Sequence, residues 1–253
     1  MSFLSNIGRC LLPVAMLVAA AAAPAEELAV LSAGAVEPGL RAAVGAFEKQ
    51  TGHTVKLTFN TAPELKKRMD ADEPFDVVIA PRGAIAEFAT ANKLAELRAM
   101  VGRVGMGVAV REGAAMPDIR NAEALKQSVL AADGVVFNRA STGQYLEGLL
   151  KKMDIYPQVE AKATRYPDGA AVMEHVIRGK GNEIGFGAIT EILLYDGKGL
   201  RFVGPVPAEV QNYTTYAAAT IVGSSKREAA QAFVTFLEGP VGKPLFVAAG
   251  ITD

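Results

Sequence analysis

The chain has 253 residues, with 26 Lys and Arg against 27 Asp and Glu, a net charge of −1, one cysteine and two histidines. So even a balance supplies no basic field for a nucleic-acid backbone, and His53 and His175 lie too far apart in sequence to form a paired zinc motif. Cys10 stands ahead of an apolar run, so a chain cut after that run has no thiol for a disulfide, a metal or a nucleophilic attack.

Arg9 followed by the apolar run 11–23, ending in small residues, reads as a signal peptide over residues 1–25, with maturation close to Glu26. The run is shorter than the ~20 residues that a membrane-spanning helix needs. A periplasmic location is therefore expected.

Beyond it, apolar runs alternate with helical patterns. Residues 28–31 read as a short buried strand, and 38–50 as a helix in which Leu40, Val44 and Phe47 continue a helical spacing begun by Val36. Thr51-Gly52 closes that helix. A strand over 54–59, a helix over 64–70 and a strand over 75–80 complete the βαβαβ order of an open parallel sheet. A helix over 83–93 and a β-rich crossing over 101–110, broken by Gly105 and Gly107, lead out of this unit. A second unit follows, with strands at 135–137 and 183–188, helices at 143–153 and 170–178, and further strands at 200–203 and 216–222. A helix over 226–238 comes last. The expected fold class is α/β with two lobes, each a mostly parallel sheet flanked by helices, and a cleft between. Residues 26–102 and 224–253 are expected in lobe 1, and 103–223 in lobe 2.

The stretch LAVLSAGAVEPGLRAAVGAFEKQTGHTVKLTF, with the later PFDVVIAPRGAIAEFATANKL, resembles the opening of periplasmic molybdate-binding proteins. ASTGQYLEGLLKKMDI, NEIGFGAITE and FLEGPVGKPLFVAAGI resemble later pieces of that family, and the likeness runs through the whole mature chain. The resemblance implies a type II periplasmic binding protein that closes over a small anion, with an ABC transporter permease as partner. It also implies no cofactor. A monomer is expected. Four loops would line the cleft, 32–37, 60–64, 138–142 and 166–170, with backbone N–H groups at helix starts holding the anion.

Against the oxyanion cage that the family builds from hydroxyls, Ala35, Ala62 and Ala188 stand where polar groups would be expected, while Ser32, Thr61, Ser141 and Thr142 keep hydroxyls near the loops. Asn60, Asn138 and Asp168 complete the candidate ligand set. Arg82, Arg139 and Arg165 add cationic character, and arginine suits planar carboxylates, so a polycarboxylate is preferred to molybdate. Each arginine could equally pair with Glu87, Glu147 or Asp168.

Two functions remain open on this scaffold. One is solute capture for a permease. The other is an aconitate isomerase, which moves a proton allylically between cis- and trans-aconitate and needs a positioned base. Glu37, Glu64 and Asp168 are the candidate bases and Tyr145 a candidate acid, although Glu37 and Glu64 also suit the bland role of complementing a helix dipole. No Walker or GxGxxG pattern supports a nucleotide.

Overall fold

The computed structural model describes residues 24–252, so the signal peptide expected at 1–25 lies almost wholly outside the described residues. Lobe 1 opens with β1 (Glu27–Ala33), a 3-10 turn at Gly34–Val36 and α1 (Glu37–Thr51), followed by β2 (Thr54–Asn60), α2 (Ala62–Asp70), β3 (Val77–Pro81) and α3 (Arg82–Thr90). β1 pairs in parallel with β2 on one side and β3 on the other. Being covered on both faces, β1 must be almost continuously apolar, and it is. Gly52 ends α1 at φ +78°, a left-handed conformation that glycine adopts without strain.

The long β4 (Leu94–Arg111) leaves lobe 1 and enters lobe 2. Lobe 2 then contains α4 (Ala122–Ala131), β5 (Gly134–Asn138), α5 (Ser141–Lys152), α6 (Tyr156–Glu160), β6 (Ala163–Tyr166), α7 (Gly169–Arg178), β7 (Glu183–Ala188), α8 (Ile189–Leu193) and β8 (Leu200–Pro205). The chain returns through β9 (Tyr213–Ile221) and ends with α9 (Arg227–Glu238) and α10 (Gly242–Ala248).

The strands form one path, β2-β1-β3-β9-β4-β7-β5-β6, with β8 also on β4. The two halves share one wiring. β5 lies parallel to β6 and β7 as β1 lies parallel to β2 and β3. β4 runs antiparallel beside β7 as β9 runs antiparallel beside β3. Each lobe is thus completed by the strand that enters it from the other. β4 pairs with β9 as far as Gly105 and with β7 and β8 from Met106 onward. The chain returns toward lobe 1 along β9, because Tyr213–Ile221 sits between β3 and β4.

The cores follow the sheets. In lobe 1, Phe47 of α1 meets Phe233 and Phe236 of α9 edge-on, at centroid distances of 4.9 and 5.4 Å. In lobe 2, Val135 and Phe137 bury one face of β5 with Leu146, Leu150 and Phe186, while Val136 between them joins Val172, Met173 and Ile192 on the other face. That two-sided burial explains the uninterrupted Val-Val-Phe run.

Candidate functional site

At the carboxyl ends of the strands the two lobes face each other across a cleft of about 550 Å³. Each strand that feeds it hands the chain to a helix within three residues: β1 to the Gly34–Val36 turn and α1, β2 to α2, β5 to α5, β6 to α7 and β7 to α8. β1 and β2 end in register at Ala33 and Asn60, and β5 and β6 at Asn138 and Tyr166. This is the crevice where open α/β sheets bind their ligands.

The helix starts are its main source of donors. The N-cap residues of α1, α2 and α5 make no side-chain cap, but Glu37 N donates to Gly34 O, Pro38 and Pro63 bring no N–H, and Gly143 N donates to Asn138 Oδ1. The donors left for a ligand therefore come chiefly from Ala62 N of α2 and from Ser141 N and Thr142 N of α5, where the positive dipole ends face the cleft. α7 differs, because Asp168 Oδ1 accepts from Ala171 N at 2.9 Å and caps it. Asn138 is likewise committed to the scaffold. Its Oδ1 accepts from Ala140 N and Gly143 N, both at 3.1 Å, and a side chain at Gly143 would run into the Asn138 carbonyl. Asn60 Oδ1 is buried without a hydrogen-bond partner among the described residues.

Of the residues singled out from sequence, Glu37, Asn60, Thr61, Glu64, Asn138, Ser141, Thr142 and Asp168 all line the cleft. Four do not. Ser32 is fully buried in β1, donating to Ala33 O at 3.2 Å. Tyr145 packs against the lobe 2 core, where its hydroxyl donates to Val210 O at 3.0 Å. Arg82 and Arg139 are exposed and outside the lining. Arg165 is also outside it, paired with Glu147 at 2.6 Å and stacked over Phe137. No Lys, Arg or His is among the lining residues, so the arginines from which a carboxylate ligand was expected do not bear on the cleft. The local reason is direction: Arg82 and Arg139 lie at the mouths of helix starts but turn to solvent, and Arg165 finds a carboxylate within its own lobe.

The acids in the cleft are not equivalent. Glu37 pairs with Arg41 at 2.7 Å, and Glu64 with Lys67 at 3.4 Å. Glu191, which sequence reasoning passed over, lines the cleft from α8. Burial raises its carboxyl from 4.5 to about 7, helped by the negative charges of Asp168 and Glu37 and opposed by an N–H bond from Ala188. Tyr195 and the buried Tyr216 also line the cleft, and burial raises the pKa of both hydroxyls. The signal for Glu191 was faint. The segment Ile189–Leu193 is one apolar turn directly after a glycine-rich strand, so its only charge reads as a strand end.

Among the described residues no group of His, Cys, Asp and Glu could hold a metal ion, and no helix is long and apolar enough to cross a membrane.

Comparison with known proteins agrees with this architecture. The structure is similar to the periplasmic molybdate-binding protein of Azotobacter vinelandii, with a TM-score of 0.75 at 16% identity, covering 89% of this chain and 99% of that one. It is also similar to the sulfate-binding protein of Mycobacterium tuberculosis, with a TM-score of 0.72 at 17% identity, covering 89% and 86%. In sequence it is 32% identical over 226 residues to an aconitate isomerase of Pseudomonas sp, covering 86% of this chain and 84% of that protein. The family model for bacterial extracellular solute-binding proteins matches residues 28–252. With the two-lobed type II fold and a cleft ringed by helix starts, the chain belongs to the bacterial extracellular solute-binding protein family.

Proposed function

We propose that this protein binds a small polycarboxylate between its lobes outside the cytoplasm and isomerises it, with aconitate as substrate and Glu191 as the group that carries the proton. The observation that carries the reading is Glu191 itself: a carboxyl in the cleft, raised to about 7, where a general base is half ionised at neutral pH. Similarity to an aconitate isomerase along most of both chains supports the choice of substrate.

The chemistry needs little else. Aconitate has a methylene beside its double bond. A base takes one methylene proton, the electron pair left behind spreads over the three-carbon allyl unit into the attached carboxylates, and the proton returns to the former vinyl carbon. The double bond has then moved one position and nothing is consumed. Charge builds on the carboxylates during this step. The first N–H groups of α2 and α5, at Ala62, Ser141 and Thr142, and the hydroxyls of Thr61, Ser141 and Thr142 supply donors there without a formal cation. The cleft volume lies within the ~300–1,000 Å³ usual for small-ligand sites. The other acids are less suited, because Glu37 and Glu64 already have cationic partners and Asp168 caps α7.

The open first turns of α2 and α5 also favour a second reading, in which the protein captures an anion and delivers it to an ABC permease without changing it. One set of experiments separates the two. Purified mature protein is incubated with cis- and with trans-aconitate, followed by ultraviolet absorbance and proton NMR, and screened by thermal shift against both isomers, citrate, sulfate and molybdate. The isomerase reading expects each isomer to convert to the same mixture. Glu191→Gln should lose turnover by ~10²–10⁴-fold while still being stabilised by aconitate. Stabilisation by aconitate with an unchanging spectrum leaves the receptor reading, and stabilisation by micromolar molybdate removes the carboxylate altogether.

A further inference from the structure

On the reading that Glu191 carries the proton, we propose that Gly34 and Gly169, one from each lobe, are positioning residues that seat its carboxyl, and that Thr190 fixes the turn that bears it. The turn needs fixing. α8 has only five residues, too few to be stable as an isolated helix. Thr190, buried beside Glu191, donates from Oγ1 to Ala35 O at 2.6 Å, which ties this lobe 2 turn to the Gly34–Val36 turn of lobe 1.

Space, and not backbone conformation, accounts for the two glycines. Neither has a positive φ. Gly169 is the first residue of α7, where alanine would be the better helix former. A Cβ at Gly169 would have all three of its nearest atoms on Glu191, standing 2.6 Å from Cδ and overlapping Oε2. At Gly34, the same addition would place a Cβ 3.2 Å from Glu191 Oε1 and within 4 Å of no other atom. The carboxyl therefore rests between two bare backbones. Around it stand Glu37 at the start of α1, Asp168 at the start of α7, Tyr195 after α8 and Tyr216 from β9, with Glu64 also in the lining. A methyl at Gly169 would push the carboxyl out of this enclosure toward water, whereas one at Gly34 would displace it by only a few tenths of an ångström.

The test pairs a titration that needs no substrate with kinetics. The Glu191 carboxyl is followed by carbon-13 NMR in wild type, Gly169→Ala, Gly34→Ala, Thr190→Val and Thr190→Ser. Gly169→Ala should lower its midpoint by about one unit or more toward the ordinary carboxylate range, with a smaller fall in Gly34→Ala, because better solvation favours the charged form. Thr190→Val should lower it too, and Thr190→Ser should restore it. Turnover of aconitate should fall by ~10–100-fold in Gly169→Ala with KM changed much less, since misplacing a reacting group by an ångström has that order of effect. In a Glu191→Ala background, adding Gly169→Ala should change nothing further. An unmoved midpoint in Gly169→Ala, or an undiminished cost of that change without Glu191, overturns the seat. If the midpoint moves as stated but wild type never converts aconitate, the seat stands and the isomerase reading falls. If wild type converts aconitate and Gly169→Ala matches it in midpoint and rate, the reverse holds.

Discussion

On the proposed isomerase reading, Glu191 links activity and stability in opposite directions. Its folded-state pKa of about 7 lies above the ordinary value of 4.5, so protonated Glu191 favours the folded state fully below the ordinary value, and that contribution is lost as pH rises through about 7. A shift of this size corresponds to on the order of 3 kcal/mol, reduced because part of the residue remains exposed to the cleft. Thermal denaturation between about pH 5 and 8 should therefore show a steeper loss of stability in wild type than in Glu191→Gln, and matching slopes would place the carboxyl in solvent. As the proposed base, however, Glu191 would work in its ionised form. kcat/KM should climb with pH and level off above about 7. Asp168 offers a finer test, since its charge is one of the causes that raise Glu191. Asp168→Asn keeps an N-cap side chain for α7 but removes the charge, so the midpoint of the kcat/KM profile should move to lower pH.

At the scale of elements, the sequence carried most strands and the long helices because their apolar spacing was clear. Leu40, Val44 and Phe47 all fall on the buried face of α1, and the apolar run at 135–137 is a strand buried on both faces. What escaped was short or partnered elsewhere. α4 is capped by Asn121, whose Oδ1 accepts from Ala124 N. β6 is a four-residue edge strand with no fully buried position, and α8 is a single turn. The contact between α1 and α9 shows what the long helices contribute. Phe47→Ala should cost ~3–5 kcal/mol, read as a lower midpoint in urea denaturation, because it removes a ring fully enclosed by Phe233 and Phe236 and leaves a cavity. Asp168→Ala should cost only ~1 kcal/mol, the usual value of one N-cap.

For the whole molecule, two lobes of one topology are joined where β4 and β9 cross between them. Such an arrangement suits hinge closure around a ligand. A ligand held by both lobes should stabilise the protein by ~2.7 kcal/mol at 100 times its Kd, and small-angle scattering should show a more compact particle when it binds. An unchanged particle would count against hinge closure on binding. The alternation of apolar runs with helical spacing determined an α/β chain in two units, and the loops after its strands already held Glu37, Asn60, Thr61, Glu64, Asn138, Ser141, Thr142 and Asp168. Local pattern suffices for this, because each element buries its own face and each strand end must pass to the next helix. Tertiary structure alone decided which charges meet. It turned Arg82 and Arg139 to solvent and gave Arg165 to Glu147. It also brought Glu191 of lobe 2 against Gly34 of lobe 1, since the electrostatics of a cleft depend on distances between residues that are remote in sequence.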